Sequence, residues 1–182
     1  RPDDVTAVAN SHLHADHCGW NTRLRDGELV PTFPNARYFI QRGEWEVARA
    51  PNERTRTTYL AENFEPLEAT GQLELVAGER EIVPGVHFVS APGHTADHAM
   101  IVISSRGETA IYLGDLVQHA AHIERPAWIS AFDVLPLVSL ETKKRLAERA
   151  IREGALLLST HVPYPGAGRL VERDGRRTFV PE

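Results

Sequence analysis

A single cysteine, Cys18, stands in a chain of 182 residues. That excludes an internal disulfide framework and any Cys-based zinc knuckle. No apolar run approaches the roughly 20 residues that a membrane-spanning helix needs. Basic residues are not in excess: 20 Lys and Arg against 25 Asp and Glu leave a formal charge of −5. A mildly acidic chain is a poor partner for nucleic acid or for an anionic membrane surface. Repeats, low-complexity tracts and linkers are also missing. With 42% hydrophobic and 25% charged residues, the composition is that of an ordinary folded protein and not of a disordered one. A chain of this length buries roughly 70% of its unfolded surface, so one domain over 1–182 is expected. The chain opens on Arg1-Pro2-Asp3-Asp4, with no Met and no visible leader, and reads like the inside of a longer protein. A cytoplasmic location is the corresponding expectation.

Strands and helices alternate. Val5–Ala9 reads as a buried strand, and His12–Trp20 as a loop running into a helix. Residues 21–35 read as loop, 36–40 as a strand, 42–50 as a helix, and 52–68 as a second helix from the spacing of Tyr59, Leu60 and Phe64. Short strands are expected over 73–76, 82–83 and 86–90, and a hairpin over 100–113. A helix over Leu140–Glu153 has Ser139 as its cap, Gly154 as its stop, and Leu140, Leu146, Ala147, Ala150 and Ile151 as its apolar stripe. Lys143, Lys144, Glu148, Arg149 and Arg152 read as its solvated face. A strand over 155–159 and a hairpin around Asp174-Gly175 close the chain. This alternation indicates a layered α/β fold.

Histidine is what the chain has in quantity, with 9 in all. His12-Leu13-His14-Ala15-Asp16-His17 packs four potential ligands into six residues. On an extended segment His12 and His14 point the same way and can grip one ion. The chain then turns, so Asp16 and His17 can face another ion. His94, Asp115 and His161 each follow an apolar strand, where ligand sites of α/β folds gather.

The order His-x-His-x-Asp-His, then His, Asp and His, resembles the metallo-β-lactamase superfamily of hydrolases. The resemblance implies the α/β fold of that superfamily, an αβ/βα sandwich. It implies a binuclear centre in which His12, His14 and His94 hold one divalent ion, Asp16, His17 and His161 hold the other, and Asp115 bridges them. The ions would be Zn, with Mn, Fe or Co also suited to imidazole and carboxylate. They would share a hydroxide as nucleophile and polarise a carbonyl or phosphoryl oxygen, with Asp16 and Asp115 as the catalytic carboxylates. Asp115 stands where true β-lactamases have Cys, and His14 stands where the flavin-linked di-iron members have Glu. The segment between Asp115 and His161 leaves no room for the inserted domain of the RNA-processing members.

The spacing of His17, His94 and Asp115 is similar to that of the methyl parathion hydrolases and the N-acyl homoserine lactone lactonases. So is the wording of Ser11–Asn21, Gly114–His119 and Pro165–Leu170. This implies a small-molecule substrate as partner and hydrolysis of an ester, a lactone or a phosphotriester. Gln118 stands where short lactonases carry a Tyr that assists the substrate carbonyl, so aryl esters and phosphotriesters are expected to exceed lactones. Two other readings remain: a non-catalytic metal-binding module, and a glyoxalase-type thioesterase. Gln118, His119, His122, Trp128 and Phe132 are read as lining the pocket mouth. Ser11, Thr95 and His98 are read as supporting the ligands from behind, with His98 on a helical face shared with His94. His87 and Cys18 read as structural. Relatives of this branch carry further strands before the motif strand, so the expected fold lacks its first N-terminal strands. Val5–Ala9 would then offer an open edge to a second copy or to a separate N-terminal piece, unless the segment between His17 and His94 closes it.

Overall fold

Short runs of Val, Ile, Leu and aromatic residues, punctuated by Gly, Pro and Asp, set the strands of this chain. The structure, a computed structural model, describes residues 1–182. They fall into two compact units, Arg1–Gly78 and Glu79–Glu182.

In the first unit, β1 (Ala7–Ala9) is followed by α1 (Ala15–Cys18) and the pair β2 (Thr22–Arg25) and β3 (Glu28–Pro31). Then come β4 (Arg37–Gln41), α2 (Arg42–Arg49), α3 (Glu65–Ala69) and β5 (Leu73–Val76). β4 is the centre of a three-stranded parallel sheet flanked by β1 and β5. Its run Tyr38-Phe39-Ile40 is wholly buried, as a central parallel strand requires. Tyr38 and Ile40 join Leu13, Cys18, Trp45, Tyr59, Phe64 and Leu67 in one core.

Three expectations are corrected here. β1 is an edge strand of three half-buried residues and not a buried one, because it pairs only with β4 and two of its three side chains are alanines. Residues 21–35 are not all loop. Asp26 and Gly27, both at positive φ, make the two-residue turn of the β2–β3 hairpin, the turn chemistry that an Asp-Gly pair favours. The helix expected over 52–68 breaks into turns, a 3₁₀ turn at Ala61–Asn63, and α3. Asn52 Oδ1 accepts from the Arg54 and Thr55 backbone amides, which offers this segment an alternative to helix. Pro66 is tolerated only near a helix start, and it stands in the first turn of α3.

In the second unit, β6 (Arg80–Val83), β7 (Val86–Ser90), β8 (Ala99–Ser105) and β9 (Glu108–Tyr112) form an antiparallel meander. α4 (Ala120–Glu124) and α5 (Pro136–Glu153) precede β10 (Leu156–Leu158), which pairs parallel to β9. The hairpin of β11 (Ala167–Arg173) and β12 (Arg176–Pro181) completes a seven-stranded sheet. Leu146, Ala147 and Ala150 of α5 pack with Val102, Ile111, Leu113, Leu157 and Leu170 of the sheet side in the core. α5 starts earlier than expected, with Pro136 in its first turn and Leu135 as its cap. Ser139 is therefore inside the helix and buried. Lys143 departs from the expected solvated face: it is wholly buried, 0% exposed, while Lys144, Glu148 and Arg152 are exposed. Gly154 ends the helix in the left-handed conformation, as its sequence position predicts.

Two features yield tests. Gly93 has φ +147°, and a Cβ there would come within 2.5 Å of the Ser139 backbone on α5. Neither the strained angle nor the helix backbone can give way cheaply. Gly93→Ala is expected to cost about 2 kcal/mol or more, read as a lowered denaturation midpoint at unchanged m-value. Cys18 is wholly buried, and its Sγ–H lies 3.2 Å from the Leu13 carbonyl. Burial, reinforced by the Glu44 carboxylate, pushes its pKa up to about 12. The thiol therefore stays protonated, and a disulfide reagent at pH 8 should label no cysteine in the native protein and one after denaturation.

Candidate metal centre

In the first unit the chain leaves β1 in an extended conformation, so His12 and His14 project to one side. It then coils into α1, whose first turn carries Asp16 and His17. The three imidazoles gather, with ring centroids 4.6 Å apart for His12 and His14 and 4.3 Å apart for His12 and His17. His17 Nε2 lies 3.4 Å from Asp16 Oδ2. His12 and His14 are buried, His17 is half-buried and Asp16 is exposed.

The sequence around this motif pins it. The Leu13 amide, between the two histidines, donates to Glu44 Oε1 at 3.0 Å, and the Tyr59 hydroxyl donates to the same oxygen at 2.9 Å. Asn10 and Asn21 exchange two side-chain hydrogen bonds across the two ends of the segment. Ser11 Oγ lies 3.1 Å from His12 Nδ1, which leaves Nε2 as the ligand atom of that ring. Ser11 thus stands beside the Nδ1 edge of its histidine. Glu44 escaped the sequence reading, since one Glu in the first turn of a helix looks like ordinary helix chemistry.

In the second unit the sequence-predicted ligands lie just past strand ends: His94 after β7, Asp115 after β9, and His161 after β10. Asp115 is the hub. Its Oδ2 lies 3.4 Å from His94 Nε2 and its Oδ1 lies 3.1 Å from His161 Nε2. His94 and Asp115 are buried, and His161 is partly open. Gln118 donates from Nε2 to Asp115 Oδ2 at 2.9 Å, and its Oε1 accepts from the Ser130 hydroxyl at 2.5 Å. Both ends of the Gln118 amide are therefore engaged, the nitrogen by the Asp115 carboxylate and the oxygen by Ser130. His98 lies in an irregular turn and not on a helix with His94, because Gly93 and the turns after it hold the chain out of helix there. Its buried Nε2 accepts the Asp115 backbone amide at 3.1 Å, so it supports a ligand by fixing the chain that carries it.

Other expected residues take other places. His119 caps α4, its Nδ1 accepting the Ala121 amide. His122, on α4, has its pKa lowered by burial and by the nearby Lys143 charge. Trp128 is half exposed with the Arg125 guanidinium 4.6 Å over its ring, and Phe132 is 72% exposed. Thr95 is buried, and its carbonyl accepts the Gly93 amide. His87 lies in β7, 3.9 Å from Glu81, which agrees with a structural role. Asp133, absent from the sequence reading, lies behind His94: its Oδ1 is 3.3 Å from His94 Nδ1, and its side chain is 1% exposed. Nothing in the loop around it marks it, since no motif spacing links it to the histidines.

The His and Asp residues of both units are of the kind that could hold a metal ion. Imidazole nitrogens and carboxylate oxygens make a donor set suited to Zn, and also to Mn, Fe or Co.

An N-acyl homoserine lactonase from Bacillus sp is 29% identical over 161 residues, which span 88% of this chain and 57% of that enzyme. The N-acyl homoserine lactonase AttM of Rhizobium radiobacter is 24% identical over 169 residues, 89% of this chain and 60% of that one. The chain thus spans little more than half the length of the curated relatives it matches. A "probable metal-dependent hydrolase" from Staphylococcus aureus superposes with a TM-score of 0.86 at 29% identity, covering 100% of this chain and 64% of that one. AidC, a dizinc quorum-quenching lactonase, superposes with a TM-score of 0.83 at 24% identity, covering 100% of this chain and 65% of that one, a likeness that shows the fold. The family model of the metallo-beta-lactamase superfamily matches residues 1–161, from the first residue to the last of the seven sequence-predicted ligands. With a match of that extent, the chain belongs to the metallo-β-lactamase superfamily and has its α/β fold.

Proposed function

We propose that the two units are halves of one hydrolase domain, 1–182, which cleaves carboxylic esters, lactones among them, at a binuclear metal centre. His12, His14 and His94 would hold one ion, Asp16, His17 and His161 the other, and Asp115 would bridge. The observation that carries this reading is the Asp115 carboxylate, whose two oxygens face different histidines, His94 and His161. A carboxylate shared in this way suits a residue that serves two ions, each with its own imidazole. The lactonase relatives support the ester class of substrate.

When bound, a pair of divalent ions supplies an activated water as nucleophile and Lewis-acid polarisation of the substrate oxygen. The chain's own residues do the positioning. Gln118 and the His98 contact fix the side chain and backbone of Asp115. Glu44 and Ser11 fix the His12–His14 segment. His161 is partly open and Asp16 is exposed, so each of these two side chains can be reached from solvent. With both ends of Gln118 occupied, no side chain at that position remains to assist the substrate carbonyl. Substrates with a good leaving group depend least on such help, so aryl esters should turn over faster than alkyl lactones. Phosphotriesters are the other class that a binuclear site of this kind serves.

Elemental analysis of the zinc-loaded chain is expected to give two ions per chain, because seven ligands exceed the four that one tetrahedral site takes. At most one ion at saturating zinc would contradict the reading. Asp115→Ala should lower the turnover of a p-nitrophenyl ester by roughly two orders of magnitude or more, with the circular dichroism spectrum unchanged. A panel of p-nitrophenyl acetate, N-hexanoyl homoserine lactone and paraoxon, each with and without a chelator, tests the substrate class. Metal-independent turnover, or no turnover of any ester, would overturn it.

A further inference from the structure

The second unit buries two opposite charges that the proposed chemistry does not use. Asp133 is 5% exposed and Lys143 is 0% exposed. Taking a carboxylate and an ammonium out of water costs several kcal/mol each, and well-packed apolar residues of similar size usually serve stability as well or better. Stability alone is therefore a weak reason for this arrangement.

The segment that carries Asp133 is locked against the His94 loop. The Val134 amide donates to the His94 carbonyl at 3.1 Å, and the Leu135 amide donates to the Gly93 carbonyl at 2.9 Å. α5 is tied to the same loop, since the Thr142 hydroxyl donates to the Pro92 carbonyl at 2.8 Å. From that helix Lys143 Nζ donates to the Trp128 carbonyl at 3.0 Å, which anchors the start of the Asp133 segment. Burial lowers the Lys143 pKa, and the Asp133 carboxylate opposes that shift, so the two charges act on each other. Asp133 Oδ1 meets His94 Nδ1 at 3.3 Å, while His94 Nε2 faces Asp115.

We propose that Asp133, backed by Lys143, is a positioning residue for the metal: it holds the proton of His94 on Nδ1, aims Nε2 at the ion, and raises the affinity of the His94-bound ion. The proposal rests on the metal-centre reading above. A carboxylate that accepts the far N–H of a ligating imidazole fixes its tautomer and raises its basicity, and loss of such a partner typically weakens metal binding by about 10–100-fold.

The test is zinc competition against a chromophoric chelator, with the thermal midpoint of the metal-free protein measured alongside, for the full chain and for Asp133→Asn, Asp133→Ala and Ser139→Ala. Asp133→Asn keeps the shape and removes the charge, so it remains informative where Asp133→Ala fails to fold. The expected result is one zinc ion bound about 10-fold or more weakly in Asp133→Asn, with the metal-free midpoint unchanged or lowered because buried Lys143 loses its opposing charge. Ser139→Ala removes a buried hydroxyl of α5 that does not touch His94, and should leave both affinities unchanged. Unchanged zinc affinities in Asp133→Asn, with or without a fall in the metal-free midpoint, would overturn the positioning role while the metal centre stands. An unsubstituted chain that binds no zinc would overturn the metal-centre reading and this one together.

Discussion

The structure of the second unit turns on one buried carboxylate, Asp115, whose two oxygens face different imidazoles, those of His94 and His161. The Gln118 amide donates to the same carboxylate, and His98 accepts the Asp115 backbone amide. A buried carboxylate held in this way is costly by itself, and the surroundings have to be stiff to hold it. β9 delivers it from the middle of a seven-stranded sheet, with Ile111, Leu113 and Leu116 buried around it. The apolar strands supply the stability, and the polar groups at their ends are free to be arranged for chemistry.

The first unit meets a related constraint with other means. Its motif segment is too short and too polar to hold itself in place, so groups from elsewhere in the unit hold it. Glu44 from α2 takes the Leu13 amide, the Thr58 carbonyl takes the Ala15 amide, and Leu13 itself plugs the core beneath. The segment between His17 and Gly78 thus includes the scaffold on which four candidate ligands depend, and is more than a connector.

Much of this was legible in the sequence. The seven candidate ligands stand out because metal chemistry restricts the residue types and the strand ends restrict their positions. The apolar strands from 73 to 113, the helix stop at Gly154 and the Asp174-Gly175 hairpin follow from local propensity and turn chemistry. The misreadings have physical causes. The Asp26-Gly27 turn carried its usual signal, but its strands are short and largely exposed, so no apolar alternation marked them. The spacing of Tyr59, Leu60 and Phe64 imitates a helix, while the Asn52 side chain and Pro66 break it. Lys143 stands three and four residues before Leu146 and Ala147, squarely on the buried stripe of α5, yet its charge argued for solvent.

By itself the sequence determined the superfamily, the candidate metal-binding residues, and the strands and helices whose signals are local. It could do so because a run of six residues with four ligands, and three more at strand ends, leaves few alternatives. Tertiary structure alone decided what stands behind the ligands. Glu44, Asp133, Lys143 and the committed amide of Gln118 act through contacts between segments far apart in the chain, and no local pattern encodes such contacts. A buried charge looks like a surface charge in sequence, and only the packing around it shows that water has been removed and a specific partner put in its place.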